Sequence, residues 1–436
     1  MADAWRNWAG DQRCAPAATY RPRTLEGLLY AVRRASEGGL RIHAAGSGHS
    51  FSEAALTDGA MVRIEALDRV LAVDRASGLV KVEAGITLRR LSEVLWERGL
   101  ALENLGDIDK QTLAGAISTA THGTGAGFRN LSAQVVALEL VLGDGSLVEL
   151  SEEADPDGLR AARVGLGALG VIYSVTLRAV PAFVMRRVDS PQPLERTLAG
   201  LDELAARNEH FEFFVFPHTD TALVIERNRV DGPPKPRGPL DAYLNEILIE
   251  NYGMDALSRI ARRFPASIPR LTGFAARRFS RSERTDRSYR MFASERRVRF
   301  TEMEYAIPRE HGPEAVRRVL ALIQDRRLPV GFPIEFRLVA PDDAYLSPAH
   351  ERETAYVAVH QYEGASWAPY FRAVEEIMDS YGGRPHWGKR HFQTAETLAG
   401  RYPRWRDFQK VRARLDPLGR FSNAYSYRVL GPVRRG

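Results

Sequence analysis

Apolar and polar positions follow two periods along this chain, and the switches between them mark its elements. From Thr24 to Ser36, residues Leu25, Leu28, Leu29 and Val32 recur at helical spacing. Met61–Ile64 and Val70–Asp74 read as strands, and Leu79–Gly85 alternates as a half-buried strand should. Thr87 sits where an N-cap belongs, ahead of Leu88, Leu91, Val94 and Leu95, with Gly99 past the end. Val135–Val141 and Ser146–Leu150 flank Gly143-Asp144-Gly145 and predict a hairpin, and Val171–Val180 predicts another strand. Residues 21–180 thus read as small sheets covered by helices.

The pattern changes near Pro181. Phe211–Phe216 is an aromatic-rich strand, 230–239 a proline-rich loop, and 241–290 reads as helical and arginine-rich. Strands Val298–Ile307, Ile334–Ala340 and Ala355–Gln361 alternate with helices Pro313–Asp325 and Trp367–Tyr381. That succession predicts a second sheet with helices on one face, and an α+β fold overall.

Composition narrows the class. With 436 residues and 44% hydrophobic positions, the chain can bury a sizeable core in two domains, or in one domain with a cap. Its net charge of +6 comes with 55 acidic residues, so it is a surplus and not a polycation. Runs such as Arg277-Arg278 and Arg296-Arg297-Val298-Arg299 leave an anionic partner open, either a membrane face or an acidic redox protein. Nucleic acid is disfavoured, because no recognition module with stacking aromatics accompanies the charge. The single cysteine, Cys14, permits no internal disulfide and fits a reducing, cytoplasmic compartment. The first ten residues lack the apolar core of a signal peptide, and no apolar run nears the ~18 residues of a membrane span. No His/Asp/Glu set has metal-ligand spacing, so no metal is expected.

The chemistry begins at Gly46-Ser47-Gly48-His49-Ser50-Phe51, which follows the apolar strand end Leu40–Ala45. Small residues let backbone N–H groups converge on a phosphate. Phosphate binding alone needs no histidine, so His49 suggests a cofactor both cradled and covalently attached. Two more small-residue stretches follow, Gly115–Gly125 and Gly165–Ile172. Three such contacts over about 125 residues fit a long dinucleotide lying across a domain. A Rossmann fingerprint would instead place its glycines in one strand-turn-helix, and none opens a helix here. Farther on, alternation puts Glu335 and Arg337 on one strand face, where a carboxylate and a guanidinium can hold one polyol. Glu302 and Glu304 likewise share a face.

Asn7-Trp8-Ala9-Gly10, the histidine turn, Arg384-Pro385-His386-Trp387-Gly388-Lys389 and Phe421-Ser422-Asn423-Ala424 together resemble the vanillyl-alcohol-oxidase flavoprotein superfamily, in its aldonolactone and alditol oxidoreductase branch. The resemblance implies a two-part PCMH-type FAD-binding domain at 1–180, a substrate (cap) domain with a helix-covered antiparallel sheet at 181–400, and a segment 401–436 returning to the first domain. It implies FAD covalently attached through His49 and contacted by Gly46, Ser47, Gly48, Ser50, Phe51, Gly106, Asp107, Thr112, Gly115, Thr119, Thr121, His122, Gly170, Ile172 and Lys389. Lys389, Arg337 and Glu335 are the implied catalytic residues, and Glu302, His360 and Asp107 the implied substrate contacts. Lys389 would set positive charge beside the flavin, and Arg337 would polarise the substrate hydroxyl. The implied reaction is oxidation of a sugar 1,4-lactone at its C2 hydroxyl. The rivals are an alditol oxidase that produces hydrogen peroxide and a flavin-binding protein without turnover. Glu302 stands where alditol oxidases carry glutamine, and Gly106-Asp107 where they carry alanine and serine, which leaves the polyol open. The electron acceptor, dioxygen or a cytochrome- or quinone-like carrier, is open too.

Overall fold

Eight strands between Val184 and Pro385 form one antiparallel sheet whose two faces carry opposite chemistry. The computed structural model describes residues 4–238 and 254–434. Across the sheet the order is Ser282–Arg287, Val184–Pro193, Thr221–Val230, His210–Val215, Ile334–Val339, Thr354–Tyr362, Phe300–Pro308 and Arg384–Pro385. The two-residue period sends Phe213, Met303, Tyr305, Phe336 and Val357 to one face, against helices Leu194–Ala199, Leu201–Arg207, Gly312–Asp325 and Ala368–Asp379. Gly312 lets its helix come close, since a Cβ there would meet Phe336 Cε2 at 2.7 Å. The same period sends Glu212, Glu302, Glu304, Glu335, Arg337 and His360 to the opposite face, where they too are buried. Buried ionised groups cost stability unless they are paired, so this face must be explained by its partners and its chemistry.

The first part of the chain forms a five-stranded antiparallel sheet and a three-stranded parallel one. The antiparallel order is Leu147–Ser151, Val135–Val141, Val171–Arg178, Leu79–Glu83 and Val70–Asp74, and the parallel order is Ala18–Tyr20, Ala60–Arg63 and Ile42–Ala45. Thr24 caps helix Leu25–Glu37 by accepting from Gly27 N at 3.1 Å, and Thr87 caps Leu88–Glu97 by accepting from Arg90 N at 3.2 Å. Leu147 pairs with Val141 in the expected hairpin, and Gly145 takes a φ of +79° in its turn. Helices Trp405–Leu415 and Ala424–Leu430 send Phe408, Val411, Tyr425 and Val429 into the same core as Leu28, Val82 and Leu140. The Asn423 side chain donates to Ala54 O and Leu56 O at 2.9 Å each, tying this end of the chain beside the histidine turn.

The expected helical run 241–290 needs correction. Part of it, 241–253, lies outside the described residues. Helices Met254–Arg263 and Ile268–Ala276 are present, but Ser282–Arg287 is an edge strand paired with Val184–Asp189. Its sequence, Ser-Glu-Arg-Thr-Asp-Arg, carries the charge of an exposed edge and so lacks apolar alternation. Its neighbour Val184–Pro193 is hidden from a pattern search by Pro191 and Pro193. Both prolines still stand in register with Thr221–Val230, but they lie beyond the stretch that pairs with the edge strand, so that side of the strand has no partner there among the described residues. Among the described residues no helix is long and apolar enough to cross a membrane.

Candidate active site

The histidine turn lines a cleft open to solvent, with about 850 Å³ of empty space including its mouth. Gly46, Ser47, Gly48, His49 and Ser50 form one wall, and Thr112, Gly115, Thr119, Gly167, Gly170 and Ile172 form the others. All three glycine-rich stretches therefore meet around one elongated space. A Cβ on Gly46 would lie 2.0 Å from Thr112 Oγ1, and Gly48 has a φ of +71°, so neither position tolerates a side chain easily. Ser47 Oγ donates to Lys110 O at 2.6 Å, which fixes the turn against the opposite wall. The His49 ring stacks on Trp8 with centroids 5.6 Å apart. Its Nδ1 is buried and has no hydrogen-bond partner among the described residues. Burial, then the nearby Lys110 charge, pushes the His49 imidazole down to about 4, so the ring is neutral and keeps a free lone pair. A cradle of glycines beside a neutral imidazole with an unpartnered ring nitrogen fits a dinucleotide flavin.

The second motif is tied to the first by backbone. Phe51 N donates to Gly388 O at 2.7 Å, and Ser52 Oγ donates to Trp387 O at 2.8 Å. The Trp387 indole is fully buried and donates to Leu346 O at 2.6 Å. His386 N donates to Glu304 O at 3.0 Å and Arg390 N to Glu302 O at 2.8 Å, so the loop follows the edge of strand Phe300–Pro308. These bonds place Lys389 between the cavity and the charged sheet face. Its ammonium pairs with Glu302 and lies 5.3 Å from the Phe51 ring centroid.

On the sheet face the charges form two linked groups. In the first, Glu302 stands opposite His360 in register, holds Lys389, and lies 3.5 Å from His360 Nε2. His360 Nδ1 bonds Pro333 O at 2.9 Å. Burial opposes ionisation of all three, but the opposite charges prevail: Lys389 and His360 lower Glu302, while Glu302 raises both cations. In the second, Arg337 pairs with Glu335, donates from Nε to Glu212 Oε2 at 2.8 Å, and lies 3.7 Å from Asp107 Oδ2. Glu212 also accepts from Arg227 Nη2, and Asp107 from Arg296 Nη2, each at 2.8 Å. Glu212 and Asp107, each shared by two guanidiniums, stay well below the usual carboxylate range against their burial. Among the described residues Glu335 forms an ion pair with Arg337 alone, and burial, with the charges of Asp107 and Glu212, pushes it up to about 8 against the pull of Arg337 and His360.

Most expected residues converge. Gly46, Ser47, Gly48, His49, Ser50, Thr112, Gly115, Thr119, Gly170 and Ile172 line the cavity. Phe51, Thr121, His122 and Lys389 lie beyond its lining, towards the sheet. Thr121 accepts from Gln111 Nε2 at 3.2 Å. His122 faces Glu304 at 3.2 Å and stacks on Tyr356 at 3.7 Å between centroids. Gly106 lies against His122 O, and Asp107 sits among arginines. Two sets of possible metal ligands also converge, His122–Glu304–His386 and Glu302–Glu335–His360, their ligand atoms within 4.8 Å. They come from elements far apart in sequence, so spacing could not reveal them. Protein cations already neutralise the second set through Lys389 and Arg337, and no metal is assigned to either. The sequence reading missed Glu212, Arg227, Arg296 and His386. Glu212 had a signal, since a lone carboxylate inside Phe-Glu-Phe-Phe on a buried strand demands a partner.

Residues 175–429 match the D-arabinono-1,4-lactone oxidase family, and residues 16–151 match an FAD binding domain. The chain is 52% identical to L-gulono-1,4-lactone dehydrogenase of Mycobacterium tuberculosis, covering 99% of this chain and 100% of that one. It is 34% identical to L-gulonolactone oxidase of Mus musculus and 33% identical to alditol oxidase of a Streptomyces species, each over 98% of both chains. A solved solvent-stable cholesterol oxidase shares the fold with a TM-score of 0.80 at 18% identity, covering 97% of this chain and 96% of that one. With its FAD-binding half and its charged sheet matched along nearly their whole length, the chain belongs to the D-arabinono-1,4-lactone oxidase family of FAD-dependent oxidoreductases.

Proposed function

We propose that this enzyme oxidises a sugar 1,4-lactone of the gulonic, galactonic or arabinonic type at its C2 hydroxyl. One observation carries the reading: a buried face of carboxylates and cations suited to a polyhydroxy ligand lies across Lys389 from the dinucleotide cavity. When bound, FAD would supply the hydride acceptor for the carbon that bears the substrate hydroxyl. Gly46, Ser47, Gly48, Ser50, Thr112, Gly115, Thr119, Gly170 and Ile172 hold the cofactor. Lys389 supplies positive charge where negative charge develops. Arg337, fixed by Glu212, donates to substrate oxygens. Glu335 takes the hydroxyl proton, and His360 and Glu302 bind neighbouring hydroxyls. Residues 1–180 and 401–436 form the cofactor half and 181–400 the substrate half. The acceptor is dioxygen or a cytochrome- or quinone-like carrier, and the single cysteine fits a cytoplasmic enzyme. The reading is tested with L-gulono-1,4-lactone deuterated at C2. A slowed reaction with loss of the label supports it, and full retention of the label in the product contradicts it.

Two predictions follow from single residues. The neutral ring and unpartnered nitrogen of His49 support its reading as the attachment point of the flavin. After acid precipitation the yellow colour should stay with the protein, while His49→Ala should release it; complete release from the unaltered protein overturns the assignment. Glu335 must lose its proton to act as base, and burial has raised it. The rate of flavin reduction should therefore rise with pH through about 8. Glu335→Gln should flatten that step, and a profile already flat in the unaltered protein would remove Glu335 from the role.

A further inference from the structure

One stretch of the chain holds all of its charge surplus. From Asp255 to Arg281 there are seven arginines and a single acidic residue, Asp255, a net of +6. The whole chain also nets +6, from 61 basic and 55 acidic residues, so the remainder balances at zero. The stretch contains helices Met254–Arg263 and Ile268–Ala276, joined through the turn Pro265–Ser267.

The same stretch exposes large apolar side chains, two on the helices and one, Phe264, in the link between them. Phe264 is 58% exposed, Ile260 47% and Phe274 47%. Arg263 lies 5.3 Å from the Phe264 ring centroid and Arg278 4.7 Å from that of Phe274, so each outward ring has a guanidinium beside it. On their inner side the helices border a recess of about 1080 Å³, lined by Ala261, Pro265, Ile268, Leu271 and Ala275, with Phe332 opposite. A solvated basic face would account for the arginines and leave the rings unexplained. A helix pair packed on a core would account for the apolar residues and leave their exposure unexplained. An acidic protein uses the arginines and can bury the rings, but leaves the apolar recess behind them unexplained. A bilayer with anionic headgroups uses both: charge draws the face in, and rings and aliphatic side chains settle at the boundary between headgroups and acyl chains.

We propose that helices Met254–Arg263 and Ile268–Ala276 form a docking surface for an anionic lipid bilayer, with Ile260, Phe264 and Phe274 entering the headgroup layer. The arginines pair with lipid phosphates, and the recess behind them is open to an acyl chain. Phe332, on the recess wall, lies 6.5 Å from the His360 ring, so the surface backs onto the charged sheet face. The proposal stands independently of the lactone reading.

The test is co-sedimentation of the full-length, FAD-loaded protein with vesicles of phosphatidylcholine alone or mixed with phosphatidylglycerol. The protein should partition onto the mixed vesicles, remain in solution with phosphatidylcholine alone, and be released by high salt. Phe264→Glu with Phe274→Glu should weaken partitioning at least about tenfold while the flavin absorbance stays unchanged. Arg263→Gln with Arg278→Gln, which leaves the apolar side chains in place, should weaken it as well. No partitioning onto phosphatidylglycerol vesicles at low salt overturns the proposal, as does undiminished binding by both pairs of variants. Retention on polyglutamate beads without any vesicle binding would assign the surface to an acidic protein instead.

Discussion

Lys389→Met is expected to slow flavin reduction by about 10²–10³-fold while leaving flavin content near normal, if its loss resembles removal of one oxyanion-hole donor. The backbone explains why content should survive. The loop is held by Trp387, His386 and Arg390, whose bonds to Leu346, Glu304 and Glu302 use no atom of the lysine side chain. The side chain itself supplies charge to a buried spot between Glu302 and the Phe51 ring. Without it, Glu302 keeps only His360, and burial then favours its protonated form. The substitution thus removes a cation and changes its partner, and both effects act on the reductive step. Stopped-flow reduction at saturating substrate measures the rate. A value within a few-fold of the unaltered enzyme would make Lys389 a structural residue.

Removing Arg337 should be costlier, because three carboxylates depend on it. Glu335, Glu212 and Asp107 all lie within ion-pair distance of its guanidinium. Glu212 and Asp107 retain Arg227 and Arg296, but Glu335 has no second ion pair among the described residues. Breaking a buried pair by deleting one partner typically costs about 3–5 kcal/mol. Arg337→Met should therefore lower stability by about that amount as well as slowing reduction. Arg337→Lys should not rescue it, since one ammonium cannot serve Nε and Nη2 contacts that point in different directions. Above about pH 8, where Glu335 is ionised, the stability loss should shrink when Glu335→Gln is added, because the group left without Arg337 is then neutral. Thermal unfolding of the two single variants and the double variant measures this. Additive losses would mean that Glu335 and Arg337 act independently, and would move the substrate pocket towards Glu302 and His360.

What the sequence disclosed and what it hid have physical reasons. Short-range geometry was legible. The Thr87 cap, the Gly143-Asp144-Gly145 hairpin and the shared face of Glu335 and Arg337 each depend on a few neighbouring residues. The cofactor cradle was legible because glycines announce close backbone approach, as Gly46 does against Thr112. The strand Ser282–Arg287 was not, because an exposed, charged edge carries no apolar alternation. The partners of Arg337 were hidden for a different reason. Glu212 reaches it through strand register, and Arg296 shares Asp107 with it from a loop, so neither pairing has a fixed sequence interval. The raised proton affinity of Glu335 follows from that arrangement. The sequence places Glu335 beside Arg337 on one strand face; in the fold it is, among the described residues, the one carboxylate of the three that pairs with a single guanidinium.

The most direct measurement of the central claim is anaerobic mixing of the purified, FAD-loaded enzyme with a set of substrates while the flavin absorbance is followed. L-gulono-1,4-lactone and its galactonic and arabinonic counterparts should bleach the flavin rapidly, and alditols of matching chain length slowly or not at all. Rapid bleaching by alditols with inert lactones, or no bleaching by any of them, would contradict the assignment of this site to sugar lactones.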